Sequence, residues 1–198
     1  MENTNTTAAA VITHKVKDYG AWKAGFDAHA SARKQAGLVG HHINRGFDDP
    51  NTVSIYLAAR TQDALRAFAE SPSLKQAMTS SGVVTEPVVV PLAPQDDRAV
   101  RRPTAAVLVV QDVADYAAWK LAFDQHDGAR KQAGIIGYAV NRRADKPNTV
   151  VIYLQGESQE RLKAFVSSAD LKSTMQRAGV VGAPQITFVE GQDWASYE

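Results

Sequence analysis

Two histidines, His29 and His126, are the side chains best suited to acid–base chemistry in this sequence. Each closes a stripe of aromatic residues. Tyr19, Trp22, Phe26, His29 and Arg33 are spaced by 3, 4, 3 and 4 positions, and Tyr116, Trp119, Phe123, His126 and Arg130 repeat the spacing. A helix gathers such positions on one side. The imidazole then sits beside apolar rings, partly desolvated and with a proton affinity near neutrality, where it can act as a general base. The competing reading is a core histidine whose nitrogens are satisfied by backbone groups. Arg33 and Arg130 follow one turn later. They can hold a carboxylate or phenolate, or else meet water and the last helix carbonyls. Asp27 and Asp124 precede the histidines by two positions and fall off that face, so no carboxylate–histidine dyad is expected within one helix.

Strand parity sorts the remaining candidates. In 39–45 the odd positions are Val39, His41, Ile43 and Arg45, and in 52–57 they are Val53, Ile55 and Leu57. A hairpin pairing Ile43 with Ile55 puts this apolar set on one face, toward the helices. His41, or Tyr138 at the matching later position, is then expected beside Trp22, Phe26 and His29, or beside Trp119, Phe123 and His126. Asn44 and Tyr56, with Asn141 and Tyr153, face the other way, as polar ligand contacts or as buried hydrogen-bonding groups. Trp22 and Trp119 read as core before ligand contacts, because aromatic rings dominate core burial.

Metal chemistry is not expected. His41 and His42 are neighbours on a strand and point to opposite faces, and no His-x-x-x-His or Glu-x-x-His pair occurs on the helices. There is no cysteine, which removes disulfides, thiolate nucleophiles and cysteine-held metals together. No Gly-rich phosphate loop, nucleophile elbow or RNA-binding aromatic strand is present. Lys plus Arg number 22 against 21 Asp plus Glu, a balance that argues against a nucleic-acid or acidic-membrane partner. Neither a signal peptide nor a run of ~20 apolar residues is visible, so a soluble, cytoplasmic protein is expected.

These residues belong to a tandem duplication. Shifting the chain by 97 positions aligns Val11–Ala93 with Leu108–Glu190 without a gap, and 38 of the 83 pairs are identical. DYGAWKAGFDAH (18–29) returns as DYAAWKLAFDQH (115–126), and PNTVSIYL (50–57) as PNTVVIYL (147–154). The expected organisation is a flexible tail at 1–10, a first repeat at 11–93, a linker leading into the next strand at 94–107, a second repeat at 108–190 and a tail at 191–198. Within each repeat the order is strand, helix capped by Asp18, two hairpin strands, a second helix interrupted at Ser71-Pro72-Ser73, and a last strand over 83–92. That β-α-β-β-α-β order is ferredoxin-like, an α+β class.

The element order, the broken helix FAESPSLK (68–75) and the Y-x-x-W-K-x-x-F-D-x-H helix (19–29) resemble the dimeric α/β-barrel superfamily, and within it the antibiotic-biosynthesis-monooxygenase-like and small cyclase-labelled proteins. The resemblance implies two ferredoxin-like units pairing sheet to sheet, here as a pseudo-dimer within one chain that can associate into a further homo-oligomer. It also implies a small-molecule ligand, aromatic or polyketide-like, and cofactor-free oxygenation, cyclisation or isomerisation with histidine as base. Haem held by His29 or His126 is the cofactor alternative, and a non-catalytic metabolite-binding or scaffold protein is the rival function. Trp, Asn and His are residue types that cofactor-free oxygenases of the superfamily use, but their spacing here differs, so no catalytic set is transferred.

Overall fold

The computed structural model describes residues 8–197. They divide into two compact units, one of residues 8–93 with 192–197 and one of residues 94–191. The elements of the first copy are β1 (Ala8–Lys15), α1 (Tyr19–Ala28), α2 (Ala30–Gln35), β2 (Leu38–Gly46), β3 (Thr52–Ala59), α3 (Gln62–Ala69), α4 (Pro72–Ser80) and β4 (Val88–Asp97). The second copy repeats them as β5 (Ala105–Val113), α5 (Tyr116–Gln125), α6 (Asp127–Gln132), β6 (Ile135–Arg143), β7 (Thr149–Gly156), α7 (Gln159–Val166), α8 (Ala169–Arg177) and β8 (Val180–Ser196). The chain is α+β and each unit is ferredoxin-like.

In the first unit β1 lies between β3 and β4, and β2 pairs with β3, all antiparallel. The second unit has β5 between β7 and β8, with β6 on β7. Ile43 stands opposite Ile55, as parity requires, and Val140 opposite Ile152. Ile43, Val53, Ile55 and Leu57 pack with Trp22, Leu65 and Phe68 in one core. Val140, Val150, Ile152 and Leu154 pack with Trp119, Leu162 and Phe165 in the other.

Local chemistry sets the helix ends. The Asp18 and Asp115 carboxylates accept from the amides of Ala21 and Ala118 at 2.7 and 2.8 Å, satisfying N-terminal donors that would otherwise be orphaned. Ser71 caps α4, with Pro72 inside its first turn. The first long helix is broken where the stripe suggested continuity: His29 (φ −87°, ψ 10°) separates α1 from α2, and His126 (φ −83°, ψ 8°) separates α5 from α6. Gly37 and Gly134 then turn the chain at φ 81° and 82°, a conformation other residues reach only with strain.

The ends of the repeats differ from the expected organisation. Ala8, Ala9 and Ala10 are buried in β1, while 1–7 lie outside the described residues. Strand β4 begins at Val88 rather than at 83 and continues to Asp97, through the first part of the expected linker. The expected tail forms the end of β8 and lies beside β2, where the Tyr197 amide donates to Val39 O at 2.9 Å. Likewise, Arg98 and Tyr138 exchange backbone hydrogen bonds beside β6. Prolines and charges hide such segments from a search for apolar alternation, because strand pairing is made by the backbone. The unit boundaries fall inside β4 and inside β8.

Candidate functional site

In the second unit, α5, α6, α7 and α8 lie on one face of the sheet and border a partly open cavity of about 60 Å³. Trp119, Phe123, His126, Arg130, Gln111 and Met175 are among the residues that line it. The helix-stripe residues therefore converge. Trp119 and Phe123 lie 5.2 Å apart, and the Arg130 guanidinium sits 3.8 Å above the Phe123 ring. Tyr138 meets Phe123 edge to face at 5.2 Å. Asn141 and Tyr153 stand on the opposite strand face, outside this cleft. Burial pushes the Tyr153 phenol up, with hydrogen bonds from Thr104 and Gln155 opposing.

His126 has a partner that no reading within one helix could supply. Its Nε2 lies 2.7 Å from Asp170 Oδ2, in the first turn of α8. With Nε2–H donating to the carboxylate, Nδ1 keeps the lone pair and is the basic atom. The first unit lacks this pair, because the residue aligned with Asp170 is Ser73. There His29 lies against Phe68 at 5.8 Å, its Nε2 buried without a partner. Burial and then the Arg33 charge hold the His29 imidazole below its ordinary pKa.

The first unit joins its other candidates differently. Phe26 touches Trp22 at 5.3 Å and His41 at 4.9 Å, and Arg33 lies 3.6 Å above it. Far from meeting solvent at a helix end, Arg33 is 2% exposed and Arg130 3%. From Arg33 a chain of hydrogen bonds runs outward. Nε donates to the Tyr197 phenol at 2.5 Å, the phenol meets His41 Nδ1 at 2.6 Å, and His41 Nε2 lies 3.2 Å from Asp193, which Lys23 also reaches at 3.1 Å. Because the Asp193 carboxylate can only accept, the His41 proton sits on Nε2 and goes to Asp193, which leaves Nδ1 as an acceptor for the phenol proton. Burial lowers the His41 pKa, with Asp193 opposing, and raises that of Tyr197, with Arg33 opposing. Burial alone would raise the Asp193 carboxyl, but hydrogen bonds from His41 and Lys23 hold it low. The charges thus stay on Arg33, Asp193 and Lys23, with neutral rings between them.

The second unit keeps part of that chain. Tyr138 donates to Asp96 at 3.1 Å, and Lys120 lies 3.5 Å from the same carboxylate. Asp96 and Asp193 were not among the sequence candidates. The signal was present: Gln95-Asp96 recurs as Gln192-Asp193 at the same 97-residue offset, just past the aligned block.

Asn44 and Tyr56 occupy the sheet face opposite His41 and Ile43. The Asn44 amide lies 3.5 Å from His42 Nδ1, and His42 stacks on Trp194 at 3.5 Å. His14, which was not among the sequence candidates, lies on β1 edge-on to Trp22 at 5.8 Å, with both ring nitrogens buried and unpartnered. Burial lowers its pKa to about 4. The aligned residue in the second unit is Gln111, which leaves Oε1 unpartnered.

Haem does not fit at His126: Nε2 is engaged by Asp170, and the cavity is far smaller than a porphyrin. At His29 the Nε2 atom is itself enclosed. Among the described residues no group of three or more His, Asp or Glu could hold a metal ion, and no helix is long and apolar enough to cross a membrane.

The chain shares the ferredoxin-like fold of several solved structures. An anthrone oxidase-like protein superposes with a TM-score of 0.69 at 13% identity, covering 99% of this chain and 95% of its own. A candidate monooxygenase from Lactobacillus acidophilus reaches 0.66 at 12% identity, with 96% of each chain covered. A Listeria monocytogenes ferredoxin-fold protein related to antibiotic biosynthesis monooxygenases reaches 0.54 at 8% identity, covering 97% and 99%. Neither a family model nor a curated protein sequence matches the chain.

Proposed function

We propose that this protein binds a small aromatic or polyketide-like compound in the helix-side cleft of its second unit and acts on it without a cofactor. His126 is the general base of an oxygenation, cyclisation or isomerisation. The observation that carries this reading is that the histidine lining an apolar cavity is also paired with a carboxylate. Asp170 stabilises the imidazolium formed when Nδ1 takes a proton from an activated C–H or O–H. The enolate or phenolate left behind then closes a ring, is reprotonated elsewhere, or adds dioxygen. Arg130 stands beside it as a fixed positive charge.

The cavity is smaller than the roughly 150 Å³ that holds benzene in an apolar protein core. A ring therefore enters by displacing the wall. Helix α8 is suited to this, since none of its residues is fully buried, and Met175 is unbranched and adaptable. The small resting volume also favours the rival reading, a non-catalytic metabolite-binding or scaffold protein.

Replacing His126 with Gln preserves size and hydrogen bonding but removes the base. Turnover of an anthrone- or phenol-type substrate should fall by about 10²–10⁴-fold with little change in melting temperature. A variant with the parent's turnover overturns the catalytic reading, and a lowered melting temperature with no turnover in either protein favours the scaffold.

A further inference from the structure

Arg33 and Arg130 are built alike in part: each is buried, holds its guanidinium carbon over the phenylalanine ring of its own stripe, and donates through Nη1 to that residue's carbonyl oxygen. Arg130 also donates through Nη2 to Asp127 at 3.3 Å, where the first unit has Ala30. In the first unit Nε donates to the Tyr197 phenol. In the second unit the residue at the aligned position is Val100, which has no hydroxyl, and Arg130 Nε is buried without a partner. Gln111, which lines the same cavity and is 5% exposed, leaves its Oε1 acceptor unpartnered as well. A buried polar atom left without a partner is costly unless a ligand completes it.

We propose that Tyr197 is a built-in occupant of the first unit's arginine site, and that the second unit takes from outside what Tyr197 supplies from within. That group is a hydroxyl on a flat apolar ring, its oxygen accepting from Arg130 Nε. The ligand class is therefore a small hydroxyarene, and the two units are unequal: one is open and the other is closed by the chain itself. This rests on the reading that places the working cleft in the second unit, but not on His126 as base.

The probe is 4-methylphenol, which is the tyrosine side chain as a free molecule, and the readout is the arginine Nε–H resonances of the full chain by NMR. Titration should shift the Arg130 resonance saturably and leave that of Arg33 in place. The methyl ether, 4-methylanisole, should bind at least tenfold more weakly, and Arg130→Lys should weaken 4-methylphenol by a similar factor. In Tyr197→Gly both arginine resonances should respond. Should that variant fail to fold, Tyr197→Phe keeps the ring, and its Arg33 resonance should move toward the position of Arg130 in the ligand-free parent. An Arg130 resonance indifferent to the probe, or an Arg33 resonance indifferent to Tyr197→Phe, overturns the proposal. The two readings fail separately. A His126→Gln protein that turns over substrate normally yet binds the probe at Arg130 removes only the base, and a parent whose turnover survives Arg130→Lys unchanged removes only the hydroxyl site.

Discussion

Arg33 and Tyr197 stand 164 positions apart in the chain and are joined by a 2.5 Å hydrogen bond from Nε to the phenol oxygen. Around that bond the first unit assembles α2, β2 and the end of β8, since the same phenol reaches His41 and His41 reaches Asp193. The contact fixes the last described residue of the chain to a buried cation. It also satisfies the one donor that Arg130 leaves open in the other unit.

Removing the Tyr197 hydroxyl should therefore be costly. Tyr197→Phe leaves Arg33 Nε and His41 Nδ1 without their partner in a buried setting, and unfolding stability should fall by about 1–3 kcal/mol. Tyr138→Phe breaks one half-buried hydrogen bond to a carboxylate that Lys120 still reaches, and its loss should be the smaller of the two. Denaturant unfolding of the two variants measures the difference, and equal losses would contradict this ranking.

Acid should destabilise the protein through His14. Its folded-state pKa of about 4 lies below the ordinary value of 6.5, so between these values the unfolded chain binds the proton and the folded one does not. Stability is fully present above about pH 6.5 and declines at ~1.4 kcal/mol per pH unit as pH falls, until the loss is complete near pH 4. His14→Gln installs the residue that the second unit carries at this position, Gln111. The variant should show a shallower decline between pH 6.5 and 4 in melting experiments, whereas an unchanged slope would show that His14 is not the group responsible.

The unmatched histidine can be given a partner. Ser73 occupies the first turn of α4 where the second unit has Asp170. Ser73→Asp places a carboxylate near His29 and at a helix N-terminus, where it should add about 0.3–1 kcal/mol of stability. It should also raise the His29 pKa, which burial and Arg33 now hold down. A proton NMR titration of the imidazole reports the shift, and an unmoved His29 would show that the His126–Asp170 geometry is not shared.

Much of the fold was legible because it depends on patterns the backbone enforces. The alternation through Ile43 and Ile55 fixes which strand face meets Trp22, and it carries His41 onto Phe26. Spacing alone brought Phe123, His126 and Arg130 to one wall. What stayed hidden is of two kinds. Asp170 pairs with His126 across 44 residues, a distance at which no helical or strand period operates. Asp96, Asp193 and Tyr197 lie in segments whose charges and irregular composition look like linker, although their backbones are paired. The interruption at His29 was missed because the stripe carries on beyond it.

The placement of the unit boundaries inside β4 and β8 has a consequence for the duplication itself. By descent Asp96 belongs to the first copy, yet it completes the Lys120–Tyr138 pair of the second unit; Asp193 belongs to the second copy, yet it completes the Lys23–His41 pair of the first. The gene's module and the molecule's module are thus offset by a few residues at each seam. A mutation at Gln95-Asp96 or Gln192-Asp193 is therefore inherited in one copy and felt in the other unit.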